Sequence, residues 1–152
     1  MSQVTIRRSC AAEFEQEPNL PALFEEYAQE SACPEMGAVS VNLDAYKTVE
    51  AAGCLHVLTA HQGGQMVGFL VMLVNKALHF SAPAATFESF FVAQRARRSG
   101  AGMALLREAE AWARELDARC LFVSAPTGGV LERVLAGKGW RHANTVFAKG
   151  LA

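Results

Sequence analysis

The chain predicts a mixed α/β (α+β) fold, a central sheet flanked by helices on both faces, and three observations carry that expectation. Two apolar runs, Leu55 to Ala60 and Met66 to Val74, flank the polar turn His61-Gln62-Gly63-Gly64-Gln65 and read as an antiparallel hairpin. A further apolar strand, Thr86 to Val92, leads through an arginine- and glycine-rich turn into a helix with a single apolar stripe. Helical periodicity precedes the hairpin, and strand and helix patterns alternate after the turn, so the elements are interleaved around one sheet.

Taken in order, Val4 to Arg8 alternates in side-chain character as a half-buried strand does, and the acidic segment after it ends at Pro18-Asn19. Leu20, Leu23, Phe24, Tyr27 and Ala28 recur at helical spacing, with Glu25, Glu26 and Gln29 on the opposite face. Ser31 to Asn42, with Pro34 and Gly37, reads as a loop; Asn42 then caps a helix carrying Leu43, Tyr46 and Val49, which Gly53 ends. Both hairpin strands read as central. The helix after the arginine-glycine turn carries Leu105, Ala109, Trp112, Ala113 and Leu116 as its stripe. Cys120 to Ser124 follows as a short buried strand, Val130 to Ala136 as a short helix and Asn144 to Ala148 as a last strand. With no internal repeat, low-complexity tract or linker, residues 1–152 are expected to form a single domain.

Composition narrows the function. Hydrophobic residues make up 51% and charged residues 19%, enough apolar surface to offset chain entropy. A formal net charge of −1 provides no broad field for nucleic acid or an acidic membrane, so neither is an expected partner, and the arginines at 95 to 98 are a local feature suited to a small anion. The four cysteines, Cys10, Cys33, Cys54 and Cys120, form no C-x-x-C pair and have no histidine at zinc-ligand spacing; reduced thiols are expected, and no metal. The first residues lack the apolar core of a signal peptide, and Met66 to Val74 is too short to span a bilayer, so a cytoplasmic location is expected.

The stretch Phe91 to Met103 is where chemistry concentrates. A turn that opens a helix leaves backbone N–H groups unpaired at the positive end of the helix dipole, and glycines at 100 and 102 let an anion approach the backbone. The position also suits a ligand, since ligands of open sheets gather at the carboxyl ends of strands. A Walker A loop would require Lys and then Ser or Thr after the last glycine, where Met103-Ala104 stands. A dinucleotide fingerprint would require a third glycine near Leu105 and an acidic residue ending the next strand, and Cys120 to Pro126 supplies none.

Val92 followed by Arg97-x-x-Gly100-x-Gly102 and a helix resembles the coenzyme A pyrophosphate loop of the GNAT superfamily of N-acetyltransferases, written Q/R-x-x-G-x-G/A. The element order from Val4 to Ala148 is similar to that of the whole family domain, and Gly139-Trp140 stands where the family commonly has Gly-Phe. The resemblance implies a mainly antiparallel sheet and acetyl-CoA as co-substrate. It also implies that the backbone of Phe91 and Val92 pairs with the pantetheine arm, while Arg97, Arg98, Ser99, Gly100, Ala101, Gly102 and Met103 wrap the pyrophosphate. Arg97 and Arg98 would add charge-assisted contacts, and Ser99 would cap the helix as well as touch phosphate. The plainer alternative is that the arginines are solvated and the glycines only shape the turn.

An amine attacking a thioester must lose its proton, and the developing oxyanion needs an N–H donor. Glu88 stands where many GNAT members place a base, and the Val92 N–H is the natural donor to the acetyl carbonyl. A carboxylate in an apolar strand otherwise requires an arginine partner or a backbone donor to cap. The family's usual acid, a tyrosine, corresponds to Leu135 here, and the asparagine often found seven residues earlier corresponds to Gly128. Ser124 and Tyr46 are alternative donors or structural residues, and Glu35 or Asp44 in the acceptor region from Leu20 to Ala52 could meet a cationic amine. No role falls to His56, His61, His79 or His142, and Trp112 and Trp140 fit packing. The expectation is an N-acetyltransferase acting by direct transfer on a small-molecule or peptide amine; the alternative is a coenzyme A-binding sensor or interaction module of the same fold. An exposed strand edge is compatible with a homodimer.

Overall fold

The computed structural model describes residues 2–152. Five strands, β1 (Val4–Ser9), β2 (Leu55–Gln62), β3 (Gln65–Ala77), β4 (Ala82–Val92) and β5 (Cys120–Phe122), form one sheet in the order β1-β2-β3-β4-β5. Each neighbouring pair is antiparallel except β4 and β5, which run parallel. A parallel pair needs a crossover, and the chain supplies it with α4 (Ala101–Glu115). The other helices are α1 (Ala11–Glu15), α2 (Leu20–Glu30), α3 (Leu43–Ala51) and α5 (Val130–Ala136).

Helices cover both faces, as the sequence predicts, and each face has its own core. Leu58, Ala60, Val67, Leu70, Met72 and Ala85 pack against Leu105, Ala109 and Ala113 of α4. On the opposite face Leu55, Val57, Met66, Phe69, Val71 and Phe91 pack with Phe14 of α1 and Leu20 and Leu23 of α2. Sheet residues with side chains on alternating faces explain why β2 and β3 read as near-continuous apolar runs: both of their faces are buried. Arg8 ties β1 to α4 through ion pairs with Glu108 (2.7 Å) and Glu115 (2.6 Å) while lying over the Trp112 ring.

Local signals hold where the backbone chemistry is specific. Asn42 Oδ1 accepts the Ala45 N–H at 3.0 Å, and α3 ends at Gly53, whose φ of +77° disfavours residues with a side chain. One helix is unanticipated: the acidic segment after β1 contains α1, whose first turn is capped by the Cys10 thiol at 3.4 Å from the Glu13 N–H. Two expectations need correction. The strand expected at Cys120 to Ser124 is only Cys120–Phe122 and is not buried, because it lies at the sheet edge with Cys120 and Phe122 exposed. Asn144 to Ala148 forms no strand: three residues of β5 give a new strand little ladder to extend, and Val146 and Phe147 are exposed. Among the described residues, no helix is long and apolar enough to cross a membrane, and all four cysteines are free.

Candidate active site

β4 and β5 pair only where Ala84 to Thr86 face Cys120 to Phe122. Beyond that point the strands part, and β4 from Phe87 to Val92 has an open edge. Backbone groups in an antiparallel pair alternate between facing the partner strand and facing away. The Ala93 N–H donates to the Val67 carbonyl of β3 at 2.8 Å, so Phe91 also turns its N–H and C=O toward β3, while Val92 and Phe90 direct theirs to the open edge. Two contacts agree with this. A Cβ built on Gly68 of β3 would lie 2.7 Å from the Phe91 carbonyl oxygen, and the Val92 carbonyl instead accepts from Arg97 Nε at 3.0 Å.

Glu88 owes its position to an irregularity in β4. Ser89 faces Val71 and Phe87 faces Met72, leaving Glu88 as an extra residue with no partner across the ladder, a β-bulge. The bulge shifts the alternation: Phe87 and Phe90, three residues apart, both pack on the α4 face. Glu88 points to the other face, where Tyr46 of α3 donates its phenol O–H to Oε2 at 2.5 Å. Burial, the hydrogen bond to Glu88 and the Glu88 charge together push the Tyr46 phenol well above its ordinary value, with the neighbouring Ser89 hydroxyl opposing, so Tyr46 stays protonated. Tyr27 of α2 is pushed up in the same way, by burial first and then by Glu88. Its ring sets edge-on against Phe69 (5.6 Å) and Phe91 (5.7 Å), flooring this side of the site with aromatics.

Past β4 the chain makes a 3-10 turn at Gln94–Ala96 and enters α4 through Gly100, which adopts φ +86° with open space around it. Ser99 fastens this turn, donating to the Ala96 carbonyl at 2.6 Å and accepting the Ala101 N–H at 3.3 Å. The backbone N–H groups of Arg98, Gly100, Gly102 and Met103 have no hydrogen-bond acceptor among the described residues. Gly102 rests on Val92 and Phe90, a Cβ there falling 3.7 Å from Val92 Cγ2. The start of α4 therefore packs against the side chains of the residues whose N–H groups face the open edge of β4.

The two arginines of the turn diverge. Arg98 is exposed and has no ion-pair partner among the described residues. Arg97 is folded back, its guanidinium paired with Glu30 of α2 as well as bonded to Val92. Glu26, one turn earlier on α2, accepts the Gln94 N–H at 2.7 Å, so this residue is not on a solvated face as its spacing suggests. Of the other expected site residues, Leu135 is buried and lines a groove between α4 and α5 with Met103, Leu106, Arg107, Lys138 and Trp140. Ser124 lies past the end of β5, exposed; Asp44 faces Lys47 at 3.7 Å, and Glu35 is exposed in the loop before α3. Gly128 donates its N–H to Glu132 at the start of α5. No cluster of three or more His, Cys, Asp or Glu suited to a metal occurs among the described residues.

The model of the acetyltransferase (GNAT) family matches residues 13–130. The chain belongs to that family. GNAT proteins are acyltransferases that take acetyl-CoA as co-substrate, and the open edge of β4 with the donor-rich start of α4 lies within the matched range. A comparison with curated protein sequences gives no significant match. Among solved structures, the GNAT chain is similar to an aminoglycoside acetyltransferase, meta-AAC0020, from an uncultured soil metagenomic sample in complex with sisomicin: TM-score 0.75, 18% identity, covering 96% of this chain and 94% of that one. It is also similar to a ribosomal-protein-alanine N-acetyltransferase from Brucella melitensis biovar Abortus 2308 (TM-score 0.72, 18% identity, 97% of each chain). A third similar structure is the glucosamine-6-phosphate N-acetyltransferase from Arabidopsis thaliana (TM-score 0.73, 13% identity, 99% of each chain). At such identities the likeness establishes the fold alone.

Proposed function

We propose that this GNAT protein moves an acetyl group from acetyl-CoA directly to a primary amine, with Glu88 as general base and the Val92 N–H as donor to the acyl oxygen. The observation that carries this reading is that two sets of unpartnered N–H groups lie side by side, those of Phe90 and Val92 on the open strand edge and those of Arg98, Gly100, Gly102 and Met103 at the start of α4, which packs on Val92 and Phe90. Together they fit the co-substrate. The amides of the pantetheine arm would pair with the strand edge, and the pyrophosphate would take the helix-start donors, with Arg98 adding charge. Arg97 braces the turn, and Phe91, its backbone turned to β3, contributes its ring to the core below.

Acetyl-CoA supplies an acyl group activated as a thioester. Glu88, at the mouth between β4 and α3, takes the proton of the acceptor amine. The N–C bond then forms as the C–S bond breaks, while the Val92 N–H faces the oxygen on which negative charge grows. Leu135 offers no proton, so the departing sulfur is protonated from solvent. The similar structures include enzymes named for an aminoglycoside, a ribosomal protein and an amino sugar phosphate, which supports an amine acceptor and leaves both small molecules and proteins as acceptor classes.

A second reading, a coenzyme A-binding module without turnover, is favoured by one observation, the buried Leu135 at the position of the usual acid. Thiol release from acetyl-CoA with a panel of amines separates the two. Turnover with at least one amine is expected, and Glu88→Gln should lower it about 10²-fold or more while coenzyme A affinity is kept. Coenzyme A binding with no release of thiol on any amine would favour the second reading. An unchanged rate in Glu88→Gln would remove Glu88 from the chemistry.

A further inference from the structure

We propose that Tyr46 is a positioning residue for Glu88: its phenol O–H holds one carboxylate oxygen so that the other faces the acceptor amine, a role that rests on the reading of Glu88 as base. The geometry is specific. As the bulge residue of β4, Glu88 has no neighbour across the ladder to hold its side chain, and the hydrogen bond from Tyr46 to Oε2 at 2.5 Å is the one contact of that kind it makes among the described residues. No cation takes that place. Lys47, next to Tyr46, pairs with Glu15 at 2.5 Å, and Arg97 pairs with Glu30.

The helix that presents Tyr46 is itself anchored. Asn42 caps α3, Lys47 joins it to Glu15 of α1, and Glu50 accepts the Ala11 N–H at 2.9 Å. A phenol delivered from a pinned helix fixes the torsions of an otherwise free carboxylate, and orientation of a base is worth rate because a misplaced group loses much of its effect. The ionisable groups around Glu88 are Tyr46 from α3 and Tyr27 from α2; Met72 and Val71 of β3 and Phe87 and Phe90 of β4 present none. Both phenols are held protonated by burial and by the Glu88 charge, so the donor persists across the working pH range.

Tyr46→Phe removes the O–H and keeps the ring. Coenzyme A affinity and KM for acetyl-CoA should stay at wild-type values while kcat falls about tenfold, a split between binding and turnover that a merely structural loss would not give. In the Glu88→Gln background the same substitution should cost no further rate. If Tyr46→Phe does not fold, a fluorotyrosine at position 46 retains shape and O–H and should keep kcat within about twofold of wild type, whereas Tyr46→Leu, which removes the phenol, should lower kcat without raising KM for acetyl-CoA. A Tyr46→Phe enzyme with lowered melting temperature but unchanged kcat would overturn the proposal. Should Glu88→Gln itself keep the wild-type rate, the reading of Glu88 as base fails first, and a result in which only Tyr46→Phe is silent fails the positioning role alone.

Discussion

A Cβ at position 68 would meet the Phe91 carbonyl oxygen at 2.7 Å and Val92 Cγ2 at 3.2 Å, so glycine is required where β3 passes beneath the active edge of β4. Backbone cannot move aside as a side-chain tip can. Gly68→Ala should therefore lower stability by about 1–3 kcal/mol, the usual cost of overpacking, and also reduce turnover by displacing Val92. Denaturant unfolding would show it, and wild-type stability in that variant would contradict the close approach. The sequence singles out Glu88 as a carboxylate within an apolar strand, but the structure leaves it exposed, so burial is not the reason it stands there, and its bond with Tyr46, 42 residues away, leaves no mark in the sequence. The Arg97 pairing with Glu30 is not legible, because 67 residues separate them and either residue reads equally well as solvated surface.

At the scale of elements, two β-bulges interrupt the sheet, and one of them sets the position of Glu88. One lies between Ala60 and His61 in the pairing of β2 with β3, and the other sets Glu88 apart in β4. Neither leaves a plain mark in a sequence whose strands are buried on both faces, since alternation is then hidden; the odd spacing of Phe87 and Phe90 is the one trace. The start of α4 is the opposite case. The glycine at 100 announces it, because its φ of +86° is a conformation few other residues adopt, while Gly102 leaves the helix start bare of a side chain. Gly102→Val should leave the fold largely intact, yet its branched side chain would crowd Val92 and Phe90 and cover the free N–H groups. Coenzyme A affinity should fall at least tenfold by calorimetric titration. Unchanged affinity would mean that the pyrophosphate binds elsewhere. The strand expected at Asn144 to Ala148 fails for a reason at this scale too, since a five-residue pattern says nothing about whether a neighbouring ladder exists to receive it.

Over the whole molecule, the sheet does two jobs with one chain order. Its antiparallel part, closed on both faces by separate cores, is a rigid platform; its parallel part separates after three residue pairs and leaves a strand edge exposed beside a helix start. The near-neutral net charge is compatible with the proposed site, where an anion would be drawn by local N–H groups and Arg98 and not by a field over the surface. The fold class was legible in the order of elements; how far the edge strand extends, and which acidic residues of α2 brace the turn, depends on packing between distant segments. Thermal unfolding with coenzyme A, set against NAD and ATP, tests the account most directly. A ligand selective for the folded state raises stability by mass action, about 2.7 kcal/mol at a hundredfold excess over Kd. The account predicts a rise in Tm that grows with coenzyme A concentration and is much smaller for the two nucleotides; no shift with millimolar coenzyme A, together with a clear shift from NAD or ATP, would contradict it.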